Sequence, residues 1–176
     1  MAPRQREIKE LLQFSDRWLE LGVLTVEELD ALADAYESST DRRSEHYRYG
    51  VFCRYVTSQR PLTAEIASAL YALGSEDPDP ALAGAMMHDV LRLPECPEAV
   101  IELALASGEA HLVRLAQRKR LLKEISAGMT AALFERCLAS ADASLQGELL
   151  NRVELSRLQL KCLSEEGATR AVQNLA

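Results

Sequence analysis

The residues able to do chemistry are few and scattered. The histidines are His46, His88 and His111, and none lies in H-E-x-x-H or another metal-ligand spacing. His88 stands beside Asp89, but neighbours on a helix project about 100° apart and do not chelate together. Cys53 follows His46 by seven residues, about 10 Å along a helix, which is too far for a thiolate–imidazole pair. The chain has no Gly-rich phosphate loop and no G-x-S-x-G turn. The carboxylate pairs Glu27–Glu28, Asp77–Asp79 and Glu165–Glu166 fall at helix starts or turns, where acids complement the helix dipole. The expectation is no catalytic residue, no metal and no cofactor, and a protein that is not an enzyme.

The stretch EHYRYGVFCRY, residues 45–55, holds four of the nine aromatic residues. On a helix Arg43, His46, Gly50, Arg54 and Thr57 share an arc of about 80°. Tyr47, Tyr49, Val51, Phe52, Cys53, Tyr55 and Val56 occupy the wide arc opposite. Tyr47, Phe52 and Tyr55 therefore read as core, and Arg43, His46 and Arg54 as a thin polar strip. Arg48 lies inside the apolar arc, where a solvated surface does not account for it. A packed arginine tying a neighbouring turn does, with Asp41 or Asp77 as acceptor.

With 176 residues, 48% of them hydrophobic, the chain can form one domain with a substantial core. No stretch is apolar for the roughly 20 residues a bilayer span needs, and the N-terminus lacks the apolar segment of a signal peptide. The expectation is a cytoplasmic protein with no membrane association. Cys53, Cys96, Cys137 and Cys162 form no C-x-x-C pair and read as reduced, packed thiols. The net charge of -7 makes a nucleic-acid partner unlikely. Residues 61–108 hold eight acids against Arg92 alone, whereas 109–125 are basic through Arg114, Arg118, Lys119, Arg120 and Lys123. Such a segment either solubilises the chain or steers a basic partner.

The elements that must position these residues are helices. Ala, Leu and Glu dominate and nothing alternates with strand period. Thr25 with Glu28 forms a capping box, and Thr63 caps a second helix of the same design. Pro97 suits a first helical turn. Pro78 and Pro80 separate two helices, and Gly22, Gly74, Gly108 and Gly128 mark ends. About ten helices follow, the first over residues 4–21 with Leu11, Leu12, Phe14, Trp18 and Leu21 on its buried face. The sequence also repeats itself: LTVEELDAL at 24 returns as LTAEIASAL at 62, and LASGEAHL at 105 as LASADASL at 138. Spacings of 33 to 38 residues indicate stacked two-helix units.

The turns SEDPDPALAGAM, ASGEAHLVRLAQ and ASADASLQGELL resemble the turn and second-helix start of HEAT-like repeats. Asp77, Pro78, Asp79 and Pro80 match the turn; Leu112, Val113 and Arg114 match the helix start. Arg48 falls in the slot of Arg114, while Ala83 or Gly84 stands where the second repeat would carry arginine. The resemblance spans roughly residues 25–160. It implies an all-α, right-handed α-α superhelix of about four HEAT-like helix pairs in one domain, residues 1–176. Residues 1–22 would form the N-terminal capping helix and 23–176 the stacked pairs, with second helices starting near 41, 79, 109 and 142. It further implies a non-catalytic protein–protein interaction module whose partner is another protein. The contact candidates are Arg43, His46, Arg54, His88, His111, Arg114 and Arg118. Two other functions remain open: an inhibitor or immunity-type protein that blocks a basic partner with segment 61–108, and an enzyme or nucleic-acid-binding protein on the same scaffold. The apolar arc of the last helices, Leu149, Val153, Leu160 and Leu163 with Leu155 and Leu158, also suits a homodimer contact.

Overall fold

The computed structural model describes residues 1–59 and 62–176, and of Arg152 the backbone only; Pro61, the first residue of the acidic segment, lies outside the described residues. The fold is all-α. Among the described residues there are twelve helices and no strand, and no helix is long and apolar enough to cross a membrane. The chain divides into two compact units, residues 1–104 and 105–176.

The first unit opens with α1 (Pro3–Leu11) and α2 (Asp16–Glu20). The periodicity predicts one helix here. Instead the chain turns at Gln13, which adopts φ 61°, and Ser15 begins α2. Leu12, Phe14 and Trp18 are buried as expected, but the turn rotates Leu11 out to 49% exposure and leaves Leu21 half-buried. Phe14 and Trp18 meet edge to face at 5.0 Å.

Then follow α3 (Val26–Ser38), α4 (Ser44–Ser58), α5 (Ala64–Ser75), α6 (Pro80–Arg92) and α7 (Glu98–Ala106), whose residues to Ala104 belong to this unit. The expected capping box holds: Glu28 N donates to Thr25 Oγ1, and Thr25 N to Glu28 Oε2. Thr63 accepts from Ile66 N, and Asp79 caps α6 ahead of Pro80. Pro97 immediately precedes α7. Helix α1 packs on α3, α4 on α6, and α5 on α6. Gly74 falls at the end of α5, one residue before its last, Ser75. It is buried there, and a Cβ would come within 3.0 Å of Met86 Cβ, so the missing side chain lets α5 and α6 approach closely.

The second unit contains α8 (Ala110–Ala127), α9 (Ala131–Ala139), α10 (Ala143–Arg152), α11 (Arg157–Glu166) and α12 (Arg170–Leu175). Its core gathers Leu121, Ile125, Leu133, Phe134, Cys137, Leu145, Leu149, Leu163 and Val172. The apolar arc at the C-terminus is divided by a break after α10: Leu149 and Leu163 are buried, whereas Leu158 is 72% exposed. The second helices predicted near 41, 79, 109 and 142 begin at Ser44, Pro80, Ala110 and Ala143.

Candidate functional site

Arg48 is fully buried, and the first unit is arranged around it. It donates Nε to Asp77 Oδ2 at 2.8 Å and Nη2 to Asp77 Oδ1 at 2.9 Å, a bidentate pair with a carboxylate only 1% exposed. Nη1 reaches the Leu12 carbonyl at 2.8 Å and Ser44 Oγ at 3.0 Å. One guanidinium thus joins the end of α1, the start of α4 and the α5–α6 turn. Of the two acceptors the sequence allows, Asp77 is used. Asp41 instead accepts from Arg43 N at 3.1 Å and Nε at 3.3 Å and lies 2.6 Å from His46 Nδ1. The Arg43 amide, foremost, and His46 hold the Asp41 carboxyl down to about 2.

Of the predicted contact residues, Arg43, His46, Arg54 and His88 belong to the first unit and His111, Arg114 and Arg118 to the second. Arg43 and His46 are exposed but tied to Asp41. Arg54 and His111 are exposed, and His88 is half-buried with Nδ1 3.5 Å from Asp89 Oδ1. Tyr47 donates to the Asp41 carbonyl at 3.0 Å and packs against Tyr36. Phe52 is fully buried and Tyr55 half-buried. Arg114, in the same repeat slot as Arg48, is exposed, as a surface contact candidate must be. Arg118, one turn later, makes the second tie, donating Nε to Asp142 Oδ2 at 2.7 Å. Arg118 therefore has a structural partner as well as a surface.

The acidic segment is likewise less free than its charge suggests. Asp77 is buried against Arg48, Glu76 pairs with Arg17 at 2.6 Å, Asp79 caps α6 and Asp89 accepts from Tyr49.

The chemistry-bearing groups that do converge are ones the sequence reading assigned to the core or passed over. Tyr49, placed by helical phase in the apolar arc, is 36% exposed. Its hydroxyl donates across to Asp89 Oδ2 at 2.7 Å, tying α4 to α6. Beside that bond is a cavity of about 360 Å³ lined by Phe52, Cys53, Val56, Thr57, Asp89 and Arg92, with Leu93 and Pro94. Phe52, Val56 and Leu93 are buried and make an apolar floor; Asp89 and Arg92 supply charge at the wall.

No family model, curated protein or solved structure matches this chain.

What the cleft can do therefore rests on its own electrostatics. The hydrogen bond to Asp89, then burial, raises Tyr49 well above the ordinary tyrosine value. Burial raises the Cys53 thiol; the hydrogen bond with Tyr49 lowers it in part, and the Asp89 charge adds to the rise. Both potential nucleophiles are held protonated, the reverse of what attack requires. No group of three or more His, Cys, Asp or Glu among the described residues could hold a metal ion. The arrangement suits recognition: an apolar trough with a half-buried carboxylate whose bonded neighbour is a neutral phenol. The sequence places Tyr49 and Cys53 four apart and Asp89 and Arg92 three apart, so each pair shares a helix face. That α4 lies against α6 is tertiary information with no local signal.

Proposed function

We propose that the protein is a non-catalytic protein-interaction module and that the α4–α6 cleft of the first unit grips a side chain of its partner. The observation that carries this reading is the cleft itself. Phe52, Val56 and Leu93 offer apolar contact, and Asp89 offers a carboxylate met by Tyr49 at 2.7 Å and, loosely, by His88 at 3.5 Å. Few polar groups above an apolar floor are the usual composition of a binding pocket. The side chain that fits lays its apolar part on the floor and brings a polar head to the Asp89 and Arg92 charges at the wall. The rigid Arg48–Asp77 anchorage keeps α4 in place before binding, which lowers the ordering cost of association.

The test is an affinity capture from the native cell with mass-spectrometric identification, run in parallel with wild type, Thr57→Trp and Asp89→Asn. Thr57 is exposed, so filling the trough there should change stability by no more than about 0.5 kcal/mol. A partner retained by wild type and lost from both variants, with melting temperatures unchanged, supports the cleft. A capture profile identical for all three proteins sinks it.

A further inference from the structure

The second unit has its own concavity, and the reading of the first unit makes no use of it. Arg114, Gln117, Arg118 and Leu121, spaced as one face of α8, form one wall of a cavity of about 350 Å³; the α9–α10 turn with Asp142 and Ser144 forms the other. The Asp142 carboxylate is engaged from within at both oxygens. Its Oδ1 accepts from Ser144 N at 3.0 Å and Leu145 N at 3.1 Å, and its Oδ2 from Arg118 Nε at 2.7 Å. Arg118 thereby commits only Nε and keeps its terminal nitrogens. Arg114 is exposed and makes no hydrogen bond or ion pair among the described residues. Residues four apart on a helix present their side chains about 6 Å from each other. Two guanidinium groups thus face one internally engaged carboxylate, leaving the cavity with a surplus of one positive charge.

We propose that this cavity receives a carboxylate side chain, glutamate or aspartate, from an acidic segment of a protein partner. Guanidinium donors match a carboxylate in bidentate geometry. The surplus of one charge matches one carboxylate, whereas a phosphate dianion would be left half-neutralised beside Asp142. Leu121 offers apolar contact to the ligand's methylenes. The proposal rests on the reading of the protein as an interaction module but not on the α4–α6 cleft.

The test uses the full chain, ¹⁵N-labelled, observing arginine Nε–Hε resonances during titration with acetyl-Glu-Glu-Leu-Glu-amide, with the all-glutamine peptide and with inorganic phosphate. The acidic peptide should shift the Arg114 and Arg118 signals saturably, with Arg43 and Arg54 unmoved and the glutamine peptide silent. Arg114→Ala should weaken this binding by about tenfold, the loss of one charge-assisted contact. Thr57→Trp should leave it unchanged, so that failure of the cleft and failure of this cavity are separable. Shifts at Arg114 and Arg118 no larger than those at Arg54, or saturation by phosphate at lower concentration than by the peptide, would overturn the proposal.

Discussion

Replacing Arg48 by methionine removes the guanidinium from Asp77, whose side chain is 1% exposed, and from the Leu12 carbonyl. A buried charge left without its partner costs about 3–5 kcal/mol, and urea denaturation should register a loss of that size. The double variant Arg48→Met/Asp77→Leu should recover part of it, since an apolar pair can stand in for a buried ion pair. A single-variant loss under about 1 kcal/mol would mean that the pair does not organise the unit. Asp41 makes a pH-dependent prediction. Its carboxyl is held at about 2 against an ordinary 3.8, so it binds a proton less readily folded than unfolded. Its contribution is present above the unfolded value and lost as pH falls through the folded one. Asp41→Asn should therefore flatten the stability profile between pH 4 and pH 2, measured by chemical denaturation across that range. Arg48 was legible because an arginine inside an apolar arc requires a buried acceptor. Its choice of Asp77 over Asp41 was not, because that depends on which turn the fold brings to α4.

At the scale of elements, glycines separate local preference from packing. Gly147 lies inside α10 with nothing within 4 Å of an added Cβ. Gly147→Ala should stabilise by about 0.5–1 kcal/mol through helix propensity alone. At Gly167 the same Cβ would stand 2.5 Å from the Leu163 carbonyl oxygen and 2.9 Å from Val172 Cγ1. Gly167→Ala should destabilise by about 1–3 kcal/mol as the α11–α12 link moves aside. Thermal denaturation of the two variants would show shifts of opposite sign. The α4–α6 contact makes a chemical prediction. Burial raises the Cys53 thiol, the Tyr49 hydrogen bond lowers it in part, and the Asp89 charge adds to the rise, so Asp89→Asn should speed its alkylation at pH 8, followed by peptide mass spectrometry. An unchanged rate would show that the carboxylate does not act on the thiol. Helix starts were readable because Thr25 and Thr63 carry their signal in their own side chains and Pro80 marks a first turn. The break between α1 and α2 was not, because it turns on a left-handed Gln13, a conformation that glutamine does not announce.

For the molecule as a whole, the buried polar residues among those described are Arg48 in the first unit and Gln146 in the second, and each bridges separate elements. Gln146 donates Nε2 to the Leu138 carbonyl at 3.2 Å and accepts from Ala168 N at 2.7 Å, joining the last turn of α9 to the α11–α12 link. The all-α class of the chain was legible from composition and caps. Gln146 was invisible, since a lone glutamine in a helical pattern reads as surface until its burial is known. Local stability tracks such contacts, so opening should begin where they are removed. Gln146→Leu leaves the part-buried Ala168 amide unpaired, worth about 1–3 kcal/mol, and removes one of the two donors to the Leu138 carbonyl, which still accepts from Ala141 N. Hydrogen exchange should then quicken first at residues 138–141 and 167–169. Arg48→Met should instead quicken exchange at residues 12–14 and 76–79, the segments its guanidinium joins. If either variant raised exchange uniformly over the described residues, the two units would be opening as one cooperative body rather than each about its own polar bridge.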